Sequence, residues 1–207
     1  MGLSDWLQRC RLVAILRGVR PEEAVDVAAA LDAAGVAIVE VPLNSPDPID
    51  SIARIAARFG DRMLVGAGTV RTSAQVDAIA EVQGRLIVTP HAAEAVVRQA
   101  KARGLLACPG CFTPTEAFAM LDAGADGLKL FPAEAASPAV LRSLRAVLPA
   151  GTAMLPVGGI DASNLAAWHA AGAAGFGIGS SIYKPGDKPD AVRQKAAQLQ
   201  AALAACG

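Results

Sequence analysis

A single alternation repeats along the whole chain: a short apolar run, a loop with Gly, Pro, Ser or Thr, and then an alanine-rich amphipathic segment. The apolar runs have the length of strands, and the amphipathic segments have the length and period of helices. Because the apolar runs do not alternate with polar residues, they are expected to form a parallel sheet that is covered on both faces. Strands are predicted at 12–16, 37–41, 63–67, 86–89, 105–108, 127–131, 153–157 and 175–178, and helices near 21–34, 48–59, 72–80, 92–103, 114–123, 137–147, 161–171 and 189–205.

The number of units distinguishes two parallel folds. Eight strand–helix units in 207 residues predict an α/β protein formed by a single (β/α)8 TIM barrel, with a short helix near its N-terminus. The alternative is an open doubly wound sheet, which a Gly-x-Gly-x-x-Gly turn after the first strand would favour, and Arg17-Gly18-Val19 is not such a turn. No linker is long or polar enough to split the chain, so we predict one domain over residues 1–207.

The charge distribution argues against several kinds of partner. Nineteen basic and nineteen acidic residues are interspersed without a basic stripe, so binding to nucleic acid through phosphate neutralisation is not expected. No apolar stretch approaches the roughly 20 residues of a membrane span, and the N-terminus lacks the order of a signal peptide. We therefore expect a cytoplasmic protein that has no membrane partner. The charged fraction of 18% is low and is compatible with a buried subunit interface.

Four cysteines are too few for a disulfide scaffold, but Cys108-Pro-Gly-Cys111 has the CxxC spacing. A redox pair of this kind opens a helix after the first strand of a thioredoxin-like unit, whereas this one follows a strand well inside the repeat. A zinc site would need two more ligands, and His91 and His169 show no ligand spacing. We therefore predict neither a metal nor a cofactor.

Two ionisable residues lie within predicted strands. Lys129 is flanked by Leu128, Leu130 and Phe131, and burial would lower its pKa and make it a nucleophilic amine that can form a Schiff base. The alternative is a strand-end lysine whose ammonium group reaches solvent. Glu40 is the only carboxylate in the second strand, and burial would raise its pKa toward the range that suits proton transfer near neutrality. Its alternative is a salt-bridged core acid.

Further candidates follow the strands, at the ends where barrel enzymes carry their active sites. Arg17 has a planar fork that suits a substrate carboxylate, although a rim salt bridge is the alternative. Thr69 could add a hydroxyl to the same carboxylate or could equally cap a helix. Backbone N–H groups in glycine-rich loops commonly bind phosphate, and the loops after the seventh and eighth strands contain the candidates Gly158, Gly159, Gly179 and Ser180. Together these groups suit a phosphorylated keto acid that condenses with Lys129 and undergoes retro-aldol cleavage.

Five motifs give the chain a family resemblance. They are Val39-Glu-Val-Pro-Leu-Asn-Ser-Pro46, Val65-Gly-Ala-Gly-Thr-Val70, Ile87-Val-Thr-Pro90, Leu128-Lys-Leu-Phe-Pro-Ala133 and Pro156-Val-Gly-Gly-Ile160. With them the chain resembles the class I 2-keto-3-deoxy-6-phosphogluconate and -galactonate aldolases. The resemblance implies that Lys129 is the Schiff-base lysine and Glu40 the proton donor and acceptor. It also implies that Arg17 and Thr69 hold the pyruvyl carboxylate, that the four loop residues hold the phosphate, and that the protein is a homotrimer.

The residue before the paired glycines indicates which C4 epimer the enzyme would cleave. The gluconate enzymes usually have Thr there, and this chain has Val157, which cannot donate a hydrogen bond to the C4 hydroxyl. The resemblance therefore implies cleavage of 2-dehydro-3-deoxy-6-phospho-D-galactonate to pyruvate and D-glyceraldehyde 3-phosphate, with the gluconate epimer as the alternative substrate. His91 departs from the Asn that this branch often has. Two other functions stay open, a phosphosugar isomerase or decarboxylase that uses Glu40 as base, and a catalytically silent phosphate-binding module.

Overall fold

The structure is a computed structural model, and it describes residues 1–206. The strands are β1 (Leu12–Ile15), β2 (Ile38–Pro42), β3 (Leu64–Gly68), β4 (Leu86–Val88), β5 (Leu106–Cys108), β6 (Gly110–Cys111), β7 (Leu128–Leu130), β8 (Met154–Pro156) and β9 (Phe176–Ile178). The helices are α1 (Leu3–Arg9), α2 (Pro21–Ala33), α3 (Pro48–Phe59), α4 (Ser73–Glu81), α5 (Glu94–Ala102), α6 (Pro114–Asp122), α7 (Pro138–Val147), α8 (Leu165–Ala170) and α9 (Pro189–Ala204), and a 3₁₀ turn spans Ala133–Ala135. Each predicted strand overlaps one of these strands, and α1 confirms the short N-terminal helix.

Helix starts follow from local chemistry. Helices α2 and α7 begin at Pro21 and Pro138, where the fixed φ of proline suits the first helical position and its missing N–H is no loss. The Ser137 hydroxyl caps α7 by accepting from the Val140 N–H at 3.4 Å. Each of the helices α2 to α9 comes after a strand in the chain, so that the loops between them lie at the carboxyl ends of the strands.

The strand pairing is parallel throughout, but it does not close into one barrel. One sheet has the order β5-β4-β3-β2-β1-β9, and a second sheet has the order β6-β7-β8. The predicted closed eight-stranded TIM barrel is therefore wrong. The predicted fifth strand, 105–108, contains β5, whereas β6 was not predicted. Pro109, which has no N–H to donate, separates the two, so that β5 pairs with β4 and β6 pairs with β7. Between β8 and β9 the only bridge within residues 1–206 joins Val157 to Gly177.

The open doubly wound alternative is not observed either, because the strands do not form one continuous open sheet: β5 and β6, which only Pro109 separates, are edge strands of two different sheets. The larger sheet is curled.

One core cluster fills the space between the sheets and the helices. A second cluster joins Leu3, Trp6 and Leu7 of α1 to side chains that include Ile38 and Leu64, the first residues of β2 and β3. Helix α1 thus covers the N-terminal ends of the strands and leaves the opposite ends for a site.

None of the helices formed by residues 1–206 combines the length and the apolar character that crossing a membrane requires.

Candidate active site

Glu40 and Lys129 face one internal cavity. Glu40 is the third residue of β2 and Lys129 is the central residue of β7, so the two belong to different sheets. Both side chains line the cavity, together with Val157 and Gly177 from the bridge between β8 and β9. The cavity of about 20 Å³ has room for roughly one water molecule. The curl of the sheets therefore brings together two ionisable groups that are 89 positions apart in the chain.

Burial perturbs the Glu40 carboxyl. The residue is 2% exposed, and its Oε2 has no hydrogen-bond partner within residues 1–206. Burial raises the pKa of Glu40 to about 7, while the cations of Lys129 and Arg17 and the Gly68 N–H act in the opposite direction. The carboxyl can therefore exist in both protonation states near neutral pH, which is the property that a group needs to take up and return a proton.

Lys129 is perturbed in the opposite direction. The residue is 5% exposed, which is incompatible with a strand-end ammonium group that extends into water. Burial lowers the pKa of Lys129, Glu40 and Cys108 act to raise it, and Arg17 lowers it further. The Phe131 ring centroid lies 4.6 Å from Nζ, a contact that favours the charged form. Because burial is the largest of these effects, a greater share of the amine is uncharged and nucleophilic than for a lysine in water.

The loops after β1 and β2 hold each other in place. Arg17 donates from Nη1 to Asn44 Oδ1 at 2.7 Å, and the Gly18 N–H donates to Ser45 Oγ at 2.9 Å. Within residues 1–206 no carboxylate forms an ion pair with Arg17, so the rim salt bridge is not observed. The exposed guanidinium retains donors that could bind a ligand carboxylate.

Thr69 lies in the loop after β3 and does not cap a helix. The N-cap of α4 is Thr72, whose hydroxyl accepts from the Gln75 N–H at 3.3 Å. Thr69 has a left-handed backbone with φ of 58°, which is uncommon for a β-branched residue and carries strain. The Leu43 N–H donates to the Gly68 carbonyl at 2.9 Å and links this loop to the one that contains Asn44.

The glycine loops present backbone donors. The Val157 carbonyl accepts from the Ala133 N–H at 2.9 Å, and the Gly159 carbonyl accepts from Asn164 Nδ2 at 2.7 Å. Within residues 1–206 no backbone acceptor pairs with the N–H of the four candidates Gly158, Gly159, Gly179 and Ser180. A Cβ built on Gly179 would meet no atom of residues 1–206 within 4 Å, so the space beside this loop is open. Unpaired N–H groups next to open space are suited to an anion.

Glu134 was missed by the sequence analysis. It lies on the 3₁₀ turn that follows β7, one position beyond the Leu-Lys-Leu-Phe-Pro-Ala motif. A Cβ on Gly158 would meet Glu134 Oε2 at 1.9 Å, so the carboxylate packs directly on the glycine pair. The signal in the sequence was an acidic residue close behind the lysine strand, but only the fold shows that it contacts the loop after β8.

The two cysteines of the CxxC pair and the two histidines have different surroundings. Cys108 lines the cavity, whereas Cys111 belongs to the cluster between sheet and helices. Cys108 and Cys111 are three positions apart in an extended stretch of chain, which separates their Cα atoms by roughly 10 Å. A disulfide tolerates about 7 Å between Cα atoms. His91 is exposed, and His169 contacts Arg11. No group of three or more His, Cys, Asp or Glu residues among positions 1–206 is arranged to hold a metal ion.

Comparison with known proteins shows close relatives over most of the chain. The model of the family described as KDPG and KHG aldolase matches residues 3–196. The 2-dehydro-3-deoxy-6-phosphogalactonate aldolase of Escherichia coli (strain K12) is 46% identical over 193 residues, which is 93% of this chain and 94% of the relative. A probable 2-dehydro-3-deoxy-6-phosphogalactonate aldolase of Rhizobium meliloti (strain 1021) is 48% identical over 92% of this chain and 90% of the relative.

Two solved structures superpose closely on this chain. One is a native KDPGal structure, with a TM-score of 0.93 and 46% identity, and the match covers 94% of this chain and 95% of that chain. The other is a cube-shaped protein cage designed by fusing symmetric oligomeric domains, also with a TM-score of 0.93, at 45% identity over 95% of this chain and 73% of that chain.

Proposed function

The chain belongs to the KDPG and KHG aldolase family, and on that basis we propose that it reversibly cleaves 2-dehydro-3-deoxy-6-phospho-D-galactonate to pyruvate and D-glyceraldehyde 3-phosphate. It is a class I aldolase, a carbon–carbon lyase that acts through a Schiff base. The observation that carries the proposed chemistry is the pair of buried groups, Glu40 and Lys129, whose pKa values are shifted toward neutrality from opposite sides in one cavity.

In the proposed reaction the uncharged Lys129 amine attacks the C2 carbonyl of the substrate and forms a carbinolamine. Protonated Glu40 gives its proton to the departing hydroxyl, and water leaves as the protonated imine forms. Glu40, now a carboxylate, accepts the C4 hydroxyl proton while the C3–C4 bond breaks and its electron pair moves toward the imine nitrogen. Glyceraldehyde 3-phosphate departs and leaves an enamine on Lys129.

The second half returns the enzyme to its starting state. Glu40 donates its proton to C3 of the enamine, which becomes the protonated imine of pyruvate. Water then hydrolyses that imine, which releases pyruvate and the free amine, and the proton set free in this step returns to Glu40. The cavity that Glu40 and Lys129 line has room for roughly one water, which supports a relay through water between the carboxyl and the substrate.

The remaining candidate residues are proposed to hold the two charged ends of the substrate. Arg17 and Thr69 bind the carboxylate, supported by the unpaired guanidinium donors and by the strained backbone of Thr69. Phosphate binding is proposed for Gly158, Gly159, Gly179 and Ser180, supported by their unpaired N–H groups. Val157 is proposed to favour the galactonate epimer, because its apolar side chain faces the cavity and offers no hydrogen bond to the C4 hydroxyl.

The proposed assembly is a homotrimer in the cytoplasm. Support for an oligomer comes from apolar side chains that are exposed on this chain, including Phe112, Phe118, Val140 and Val147. The similarity to a cage built from symmetric oligomeric domains agrees with it. Light scattering coupled to gel filtration would give three times the 21.0 kDa mass of the chain, and a monomer would contradict the proposal.

Borohydride trapping tests the chemistry. Reduction in the presence of pyruvate should attach a reduced pyruvyl group to the peptide that contains Lys129, and the Lys129→Ala variant should give no adduct. A phosphosugar isomerase or decarboxylase, or a silent phosphate-binding module, would give no adduct in the wild-type protein. The substrate is tested separately by comparing pyruvate release from the two pure C4 epimers, and faster cleavage of the gluconate epimer would contradict the proposed preference.

A further inference from the structure

We infer that the Glu134 carboxylate opposes the substrate phosphate at the glycine pair Gly158-Gly159 and so limits how tightly the phosphorylated end of the substrate is held. Glu134 would thus determine specificity through affinity and would take no part in bond breaking. The inference rests on the phosphate site of the proposed function.

The position of the carboxylate carries the argument. Glu134 Oε2 lies only 1.9 Å from the position that a Cβ on Gly158 would occupy. Glu134 Cβ lies 3.3 Å from the corresponding position on Gly159. Both glycines have positive φ values, 108° and 66°. The side chain therefore rests on the glycine pair itself, and Gly158 must lack a side chain for Glu134 to be there.

The loop is anchored so that it cannot easily move away from this charge. The Ala133 N–H, which is adjacent to Glu134, donates to the Val157 carbonyl at 2.9 Å. On the other side, Asn164 Nδ2 donates to the Gly159 carbonyl at 2.7 Å. The same turn that positions Glu134 therefore also fixes the loop whose N–H groups are free to bind an anion.

No cation among residues 1–206 forms an ion pair with this carboxylate. Glu134 is exposed. A phosphate bound to the N–H groups of Gly158 and Gly159 would lie close to a like charge. Such a pair at a protein surface repels, and the repulsion weakens as ionic strength rises. The N–H groups attract phosphate and Glu134 repels it, which would keep the affinity low enough for glyceraldehyde 3-phosphate to leave.

The Glu134→Gln variant tests this inference, because it keeps the shape of the side chain and removes its charge. Calorimetric titration with inorganic phosphate at low salt should give a dissociation constant about tenfold lower than for the wild type, equivalent to ~1.4 kcal/mol. The KM for the phosphorylated substrate should fall in parallel, whereas the KM for 2-dehydro-3-deoxy-D-galactonate, which lacks the phosphate, should not change. The difference in phosphate affinity should shrink at high salt.

Glu94→Gln is the matched control. Glu94 is an exposed carboxylate in the first turn of α5, at the same ends of the strands, where it pairs with Arg98 at 3.3 Å. This variant changes the net charge by the same amount and should leave the phosphate dissociation constant unaltered.

Two outcomes would overturn the inference: an unchanged phosphate affinity in Glu134→Gln, or a weaker one, which would make Glu134 a support for the bound ligand. Both are distinguishable from failure of the proposed function, because trapping of pyruvate on Lys129 in the wild type is read independently of phosphate binding.

Discussion

The carboxyl group of Glu40 occupies the space in which a side chain on Gly68 would begin. A Cβ at position 68 would meet Glu40 Oε2 at 2.0 Å and Oε1 at 2.4 Å. Strands β2 and β3 are paired in parallel up to Pro42 and Gly68, so the backbones on both sides of this contact are fixed. Glycine at position 68 thus sets where the carboxyl lies in the cavity that it shares with Lys129.

Gly68→Ala is expected to displace the Glu40 carboxyl and to lower kcat by on the order of 10²-fold, the scale of a lost proton-transfer group. The measurement is steady-state release of pyruvate. Because both changes act on the same carboxyl, the double variant Gly68→Ala/Glu40→Gln should be no slower than Glu40→Gln alone. A Gly68→Ala enzyme with the wild-type rate would show that the contact does not matter.

In the proposed reaction the free enzyme needs an uncharged Lys129 amine and a protonated Glu40, so the profile of kcat/KM against pH is expected to be bell-shaped. It should rise as Lys129 loses its proton and fall as Glu40, whose pKa burial raises to about 7, becomes ionised, and both limbs report the coupled pair. In Glu40→Gln the negative charge that raises the pKa of Lys129 is gone, so the rising limb of the residual activity should move to lower pH. Profiles of kcat/KM against pH for both proteins test this, and a shift to higher pH would contradict the coupling.

Lys129→Met is expected to raise the pKa of Glu40 above about 7, because the cation that lowers this pKa is lost while the burial that raises it is kept. Carboxyl ¹³C NMR titration measures the change, with Glu40→Gln used to assign the signal. Lys101→Met is the control, since Lys101 pairs with Asp126 at 2.6 Å and should leave Glu40 unaffected. A fall in the pKa of Glu40 in Lys129→Met would contradict the prediction.

Val157→Thr is expected to shift the ratio of cleavage rates toward the gluconate epimer by roughly tenfold, because one new hydrogen bond to the C4 hydroxyl contributes ~1 kcal/mol or slightly more. Rates on the two pure epimers measure the ratio. Val88→Thr places the same hydroxyl elsewhere on the wall of the cavity and should leave the ratio unchanged. Equal shifts in both variants would remove Val157 as the position that discriminates the epimers.

The sequence located the strands because their signal is local. The apolar runs around Lys129 and Glu40 each mark a buried strand, and Pro21 and Pro138 mark the starts of α2 and α7. Closure of the barrel was wrongly predicted because it depends on which strands pair. A count of eight units could not show that the ladder changes partner at Pro109. The single domain over residues 1–207 stays a prediction.

Within the site, sequence reasoning named the residues without their contacts. The role of Thr69 stayed open until the structure showed that Thr72 caps α4. Glu134 escaped notice because an exposed acidic residue after a strand is common, and nothing local connects it with Gly158. The hydrogen bond between Arg17 and Asn44 was likewise unpredictable, since it joins loops that follow different strands.

The sequence by itself determined the kinds of groups present: an amine and a carboxyl in apolar strands, an arginine after the first strand, and two glycine-rich loops. Only the tertiary structure decided that Lys129 and Glu40 share a cavity, that Gly68 makes room for the carboxyl, and that Glu134 rests on Gly158. The physical reason is range. Apolar patterning and capping act over a few neighbouring residues, whereas desolvation and Coulomb interactions depend on distances that chain folding alone creates.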